Sequence, residues 1–266
     1  MLHPPFQPRT MRAMSETRVR AEDQGAVRLL TLSRADKKNA FDVEMATQLW
    51  SAIEAAQADP SVRVVAVTAE GDYFSGGADL NIFLNIGGLD PADVKKVARL
   101  YEPLRACTKP TMAIVQGHCV GMGVTLLPHF DLVYAADHVT FTTPFVKLGL
   151  VLEYGSAYTL SRLIGLSRAK ELILRATPLD ARTAADWGLV TRTFASGELS
   201  ANALAIAEEL AANPPTAIAE SKRLLDRGME LGFDATTEAE DAVLMTRYGS
   251  DENVRAITAL MARKKR

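Results

Sequence analysis

The feature that most constrains the fold is an uncharged stretch in the middle of the chain. No Asp, Glu, Lys or Arg occurs between Pro110 and Phe130. A stretch of that length is sufficient to span a bilayer, but prolines, glycines, a glutamine and two histidines interrupt it. We therefore interpret it as a buried strand followed by a buried helix, and we expect no membrane partner.

Strand and helix signals alternate on both sides of this stretch, and helix signals alone continue beyond about residue 200. Runs rich in Val, Ile, Leu and Thr predict strands at 17–21, 27–33, 62–68, 111–115, 132–135 and 190–194. Amphipathic spacing and caps predict helices at 43–58, 90–107, 167–174, 180–187, 200–212, 214–228, 234–247 and 251–264. The pattern predicts an α/β fold with a disordered arm at 1–14, a core at 15–200 and a helical region at 201–266.

Composition excludes several classes of protein. Hydrophobic residues make up 48% and charged residues 23% of the chain, which is ordinary for a globular protein. Thirty basic and 32 acidic side chains leave no electrostatic footprint for nucleic acid. Cys107 and Cys119 are the only cysteines, too few for a disulfide framework or a four-cysteine zinc site. We therefore expect a cytoplasmic protein without a bound metal.

Two glycine-bearing turns follow predicted strands, at residues 73–80 and 116–123. In open α/β sheets, ligands bind beyond the carboxyl ends of the strands. Glycine allows a ligand to approach the backbone closely and leaves N–H groups free to point at it. Two such turns side by side can each donate one N–H to the same oxygen, which makes an oxyanion hole. Ordinary strand-to-helix turns would have the same sequence pattern, so the spacing alone leaves both interpretations open.

Four segments carry a resemblance to a known family. FSGGADL, KPTMAIVQGHCVGMGVTLL, FDLVYAAD and FTTPFVKLGLVLEYGSA, in this order and spacing, resemble the crotonase (enoyl-CoA hydratase/isomerase) superfamily. The resemblance covers about residues 15–266. It implies a spiral of ββα units with C-terminal helices used in trimer formation, and hence a homotrimer or a hexamer of two trimers. It also implies an acyl-CoA thioester as substrate, no cofactor, and a thioester oxygen held by the N–H groups of Gly76 and Met122.

The carboxylates favour one reaction within that family. Hydratases that the chain resembles use two glutamates, and the matching positions here are Thr125 and Phe145. Adding water requires one group to position the water and another to handle the α-proton. Glu153 is instead the only acid between Asp137 and Glu171. By resemblance to peroxisomal-type Δ3,Δ2-enoyl-CoA isomerases, Glu153 is the catalytic glutamate, and one carboxylate suffices to move a proton from C2 to C4.

The resemblance also assigns the substrate-binding residues. It places the loop after the second strand at the adenine and the phosphates of CoA. Mainly backbone contacts from Ala40 and from residues 78–80 of the first predicted turn are then expected around the adenine and the pantetheine. The expected CoA and acyl contacts are Lys38, Ala40, Phe41, Ala78, Asp79, Leu80, Gly123 and Phe145. Apolar side chains expected along the acyl channel are Phe83, Ile86, Leu126, Phe145 and Leu150.

Three functions remain open from the sequence. The first is the isomerase with Glu153 as proton shuttle. The second is another crotonase-type reaction, such as hydration, thioester hydrolysis or C–C bond cleavage, because one fold hosts many chemistries. The third is a non-catalytic acyl-CoA-binding protein. The products formed from enoyl-CoA thioesters discriminate among them.

Overall fold

A computed structural model describes residues 16–85 and 88–263, so the predicted arm at 1–14 lies outside the described residues. The strands are β1 Val19–Gln24, β2 Val27–Leu32, β3 Val64–Ala69, β4 Tyr73–Ser75, β5 Thr111–Val115, β6 His118–Val120, β7 Leu132–Ala136, β8 Thr140–Thr142, β9 Leu179–Asp180 and β10 Arg192–Phe194. The helices are α1 Val43–Ala58, α2 Leu80–Asn85, α3 Pro91–Ala98, α4 Glu102–Ala106, α5 Met122–Leu126, α6 Ser156–Leu163, α7 Leu166–Arg175, α8 Ala181–Trp187, α9 Leu199–Ala211, α10 Pro215–Gly228, α11 Phe233–Arg247 and α12 Asp251–Arg263.

The larger sheet has six strands in the order β1-β2-β3-β5-β7-β10. Only the β1–β2 pair is antiparallel, and the other neighbours in this sheet are parallel. Every residue of β5 is buried, as expected for a parallel strand covered on both faces. Helix α1 packs on this sheet with its apolar stripe, and the Asp42 carboxylate caps it by accepting from the Met45 amide at 2.8 Å. The predicted α/β fold is confirmed.

A second, smaller sheet has the order β4-β6-β8-β9 and is built from strands of two or three residues. Strands β4, β6 and β8 each follow directly after a strand of the larger sheet, and helices α2 and α5 follow the first two pairs. This succession is the predicted ββα arrangement. The prediction of a single strand and helix across 110–130 is wrong, because β6 lies between them and continues the second sheet.

The helix predicted at 90–107 is interrupted. Helix α3 ends at Ala98, and α4 begins at Glu102 with Pro103 in its first turn. A proline inside a helix cannot donate to the carbonyl four residues earlier, and its ring clashes with that carbonyl. Pro103 is therefore incompatible with one continuous helix over 90–107. Because α3 ends at Ala98, the Val97 carbonyl has no helical amide to bind and accepts a side-chain hydrogen bond instead.

The C-terminal helices differ in how they are covered. Helix α9 packs on the larger sheet and buries Leu199, Ala203 and Ala207. Helices α10 and α11 bury no residue within the chain. Apolar side chains exposed on the last three helices are Leu225, Phe233, Leu244, Met245, Val254, Ile257, Leu260 and Met261. No helix within the described ranges is both long and apolar enough to cross a membrane. The domain division at 200/201 stays a prediction.

Candidate active site

A cavity of about 170 Å³ lies where the two predicted glycine turns meet the segment after β8. Both turns and that segment contribute to its wall. The residues that line it are Gly76, Gly77, Ala78, Leu80, Val120, Gly121, Met122, Pro144, Phe145, Leu148, Leu150, Val151 and Glu153. Glu153 is the single ionisable residue among them, so the described part of the chain places one acid–base group at this cavity.

The two turns touch through Gly77, which is why a larger residue is excluded there. Gly77 has a φ of +92°, a conformation that L side chains rarely adopt. A Cβ at this position would lie 2.9 Å from the carbonyl oxygen of Val120 and 3.4 Å from the amide nitrogen of Met122. The missing side chain thus brings the first turn directly against the start of α5.

Two backbone amides are available at this contact. Met122 is the first residue of α5, so its N–H has no carbonyl within the helix to bind. Ala78 forms a parallel bridge with Phe41, in which Phe41 donates to Gly77 and accepts from Asp79. Because the Gly77 carbonyl and the Asp79 amide are the groups bonded to Phe41, the Ala78 N–H points away from the bridge. Met122 and Ala78 both line the cavity.

The amide of Gly76, by contrast, is already occupied. It donates to the carbonyl oxygen of Lys38 at 2.6 Å. A donor committed to a backbone carbonyl cannot also stabilise a substrate oxygen without breaking that bond. The prediction that Gly76 supplies one N–H of the oxyanion hole is therefore wrong on geometry. The Ala78 amide, which is not used in the bridge to Phe41, is the available donor of this turn at the cavity.

Glu153 lies in the segment between β8 and α6, half-buried at the cavity wall. The hydroxyl of Thr125, buried in α5, donates to its Oε1 at 3.3 Å. Burial raises the pKa of Glu153, and the Thr125 hydrogen bond offsets part of that rise. A carboxylate with a raised pKa gives up and regains a proton more readily near neutral pH, as proton transfer requires.

The residues predicted to bind CoA fall into two groups. Lys38 is exposed, and its Nζ lies 4.9 Å from the centre of the Tyr73 ring. Ala78 and Leu80 line the cavity. Asp79 and Ala40, however, are held by Arg34, which donates to the Asp79 carboxylate at 2.8 Å and to the Ala40 carbonyl at 2.9 Å. Arg34 therefore braces the loop rather than offering a free charge to phosphate.

Two further predicted contacts are corrected. The Phe41 side chain is completely buried in the core, and its backbone groups are both used in the bridge to the 77–79 segment. Phe41 therefore shapes the site from behind and cannot touch a ligand. A Cβ at Gly123 would lie 2.9 Å from the Cβ of Ser75 and 3.0 Å from the sulfur of Cys119, and Gly123 does not line the cavity. Its function is to let α5 approach β4.

The expected acyl channel is only partly assembled from the expected residues. Phe145 and Leu150 line the cavity, whereas Leu126 is buried in the core away from it. Ile86 and the side chain of Phe83 lie outside the described residues. Among the described residues, no cluster of His, Cys, Asp or Glu is arranged to hold a metal ion.

Comparisons with known proteins decide the family. The profile described as enoyl-CoA hydratase/isomerase matches residues 22–265, nearly the whole chain. The chain belongs to the enoyl-CoA hydratase/isomerase family. It is 35% identical over 245 residues to rat enoyl-CoA delta isomerase 2, covering 91% of this chain but 62% of the rat protein. It is 30% identical to the 2,3-dehydroadipyl-CoA hydratase of Escherichia coli, covering 91% and 94% of the two chains.

A solved structure agrees with this assignment. The enoyl-CoA hydratase/isomerase of Pseudoalteromonas atlantica superposes with a TM-score of 0.76 at 32% identity, covering 92% of this chain and 97% of that one. The crotonase-like fold predicted from the sequence is thus confirmed. Within the family, relatives carry both isomerase and hydratase names.

Near the candidate site of this enoyl-CoA hydratase/isomerase family member lies a buried histidine that the sequence did not single out. His129 has its Nε2 2.9 Å from the carbonyl oxygen of Tyr154. A carbonyl can only accept, so Nε2 carries the proton of the neutral ring. Nδ1 is buried and has no hydrogen-bond partner in the described ranges 16–85 and 88–263. Burial lowers the pKa of His129 from 6.5 to about 4.

This histidine predicts a pH-dependent stability. Below pH 6.5 the unfolded chain takes up a proton at His129, whereas the folded chain does so only near pH 4. Its contribution is complete above pH 6.5 and is lost as the pH falls towards 4, by up to about 3 kcal/mol. In urea denaturation at a series of pH values, His129→Gln should lose less stability than the wild type over that window. Equal losses would contradict the assignment.

Proposed function

We propose that the protein is an isomerase that converts a 3-enoyl-CoA thioester into the 2-trans-enoyl-CoA. The proposal rests on one observation: among the described residues, Glu153 is the only ionisable one lining the cavity that also contains the Ala78 and Met122 amides. Such a site holds one developing negative charge and moves one proton. A double-bond shift requires both actions and nothing further.

The reaction follows from that arrangement. The Glu153 carboxylate removes a proton from C2, and the C2–H electron pair forms a double bond between C1 and C2. Negative charge then moves to the thioester oxygen, where the Ala78 and Met122 amides stabilise the dienolate. Glu153 then returns the same proton to C4, which binds it with the electron pair of the former C3–C4 double bond. The C1–C2 π pair moves to form the C2–C3 double bond, the thioester carbonyl is restored, and Glu153 is again a carboxylate. No water, metal or redox cofactor enters this scheme.

The nearest alternative is hydration, as named for the E. coli relative. Hydration needs a group that positions water in addition to the one that handles the α-proton. Thr125 occupies one position where a second acid is expected, and its hydroxyl is bound to Glu153 itself. Phe145 occupies the other and gives the cavity an apolar wall. These residues support isomerisation over hydration.

The test supplies purified protein with a 3-enoyl-CoA and, separately, with a 2-trans-enoyl-CoA. We expect the 3-enoyl compound to gain the absorbance of a conjugated thioester without a change in mass. The 2-enoyl compound should gain no water. A mass increase of one water would identify a hydratase, and release of free CoA would identify a thioesterase. Tight binding with no conversion of either compound would identify a non-catalytic binding protein.

We further propose how the substrate and the assembly are held. Lys37 and Lys38 are exposed on the loop that faces the first turn and are suited to the CoA phosphates. The exposed apolar side chains on the last three helices support a homotrimer or a hexamer of two trimers. Both cysteines are free and buried, which supports a cytoplasmic location.

A further inference from the structure

We propose that Tyr154 is a positioning residue that fixes Glu153 relative to the amide of Met122; this inference rests on the proposed function. Tyr154 follows Glu153 directly and has a φ of +54°. A bulky residue is a genuine outlier in this left-handed region, and such residues persist only where the surroundings hold them. Tyr154 must therefore be held in this conformation by contacts with its surroundings.

The hydroxyl of Tyr154 is anchored at two points away from its own segment. It donates to the carbonyl oxygen of Val97, which is available because α3 ends at Ala98, one residue later. It also lies 2.9 Å from the sulfur of Met122. The side chain is 5% exposed and does not line the cavity. Tyr154 thus acts from behind the site, without touching a ligand.

The backbone of Tyr154 is held separately from its ring. The Nε2–H of His129 donates to the Tyr154 carbonyl at 2.9 Å. Tyr101 stacks on the His129 ring with a centroid separation of 4.9 Å and meets the Tyr154 ring edge-on at 5.4 Å. These contacts explain how a strained aromatic residue is kept in one conformation beside the carboxylate.

Met122 makes this anchoring relevant to the reaction. Its amide is one of the two proposed donors to the thioester oxygen, and its sulfur contacts the Tyr154 hydroxyl. One side chain therefore connects the segment that carries the base to the turn that carries the oxyanion donor. The dienolate requires both groups at fixed separation, and a displacement of about 1 Å can cost about 100-fold in rate.

The test is Tyr154→Phe, which keeps the ring and removes the hydroxyl. We expect kcat for the double-bond shift to fall about 10- to 100-fold while KM stays within about twofold. Tyr158→Phe is the matched control, because its hydroxyl bonds the Met229 carbonyl at 3.3 Å outside the cavity wall. The control should keep the wild-type kcat. A merely structural Tyr154 would lower the melting temperature and leave kcat of the folded enzyme unchanged.

A second readout separates this inference from the proposed function. Exchange of the C2 protons of a saturated acyl-CoA in D₂O requires Glu153 and the oxyanion donors but no C4 protonation. If the wild type exchanges C2 protons without shifting a double bond, the isomerase proposal fails and Tyr154→Phe is still tested by its exchange rate. Wild-type exchange and kcat in Tyr154→Phe would overturn the positioning role.

Should Tyr154→Phe fail to fold, Met122→Leu tests the same connection. This variant removes the sulfur that contacts the Tyr154 hydroxyl and keeps the Met122 amide. We expect a lower kcat and a slower C2 exchange, with KM again within about twofold. A wild-type kcat in Met122→Leu would overturn the coupling between Tyr154 and the oxyanion turn.

Discussion

Glu153→Gln is expected to lower kcat for conversion of a 3-enoyl-CoA by about 10³-fold, which is within the range for loss of a general acid–base group. Glutamine keeps the size and the hydrogen bond from Thr125 but cannot take a proton from C2. Binding of the acyl-CoA, measured by calorimetry, should stay within about twofold because the cavity wall is otherwise unchanged. Glu171→Gln is the matched control, since Glu171 is exposed and pairs with Arg175 on α7.

Full activity in Glu153→Gln would end the assignment of Glu153 as the proton shuttle. The pH dependence gives an independent check. Burial raises the pKa of Glu153, and only the ionised form can remove a proton. The rate with wild-type protein should therefore fall as the pH is lowered, with a midpoint above the ordinary range for a glutamate. The pH profile of the residual activity of Glu153→Gln should lack this midpoint.

Gly77→Ala is expected to lower the free energy of unfolding by about 2–5 kcal/mol and kcat by more than about 100-fold. A methyl group there would lie 2.9 Å from the Val120 carbonyl, in a conformation with φ of +92°. To relieve the clash, the first turn must move away from α5, which separates the Ala78 and Met122 amides. Urea denaturation and steady-state kinetics measure the two effects.

Gly25→Ala separates backbone strain from the clash. Gly25 has a φ of +59° in the β1–β2 turn, and no atom lies within 4 Å of a Cβ built there. The control should lose stability from strain alone and keep its kcat. If Gly77→Ala retained wild-type kcat, the close contact of the two turns would have no bearing on the oxyanion donors.

Elements with local signals were predicted well from the sequence. The bounds predicted for α1 agree with the structure, because its apolar stripe and the Asp42 cap both lie within the helix and its flank. The three-residue strands β4, β6 and β8 were missed, since so short a run shows no alternation. Their existence depends on pairing with one another, which no local pattern contains. The break between α3 and α4 does have a local signal, Pro103, which the prediction of one helix at 90–107 did not take into account.

The candidate site also combines a residue with a local sequence signal and contacts that depend on distant parts of the chain. Glu153 was identified by its isolation in an apolar loop and by resemblance. The choice between Gly76 and Ala78 depends on the register of the Phe41–Ala78 bridge and on the bond from Gly76 to Lys38. Both join segments more than 30 residues apart, so the sequence alone could not decide between them. The anchoring of Tyr154 by Val97 is a contact of the same kind.

The amides of Ala78 and Met122 belong to the main chain, whereas the proton is handled by a side chain at position 153. Stabilisation of the anion and transfer of the proton therefore depend on different parts of the chain. Substitutions at 125, 145 and 153 can exchange one acid–base set for another while the anion-holding groups stay in place, because no side chain supplies them. The reaction can therefore change through a few side chains while the fold stays the same, and acids introduced at Thr125 and Phe145 would supply the groups that hydration needs.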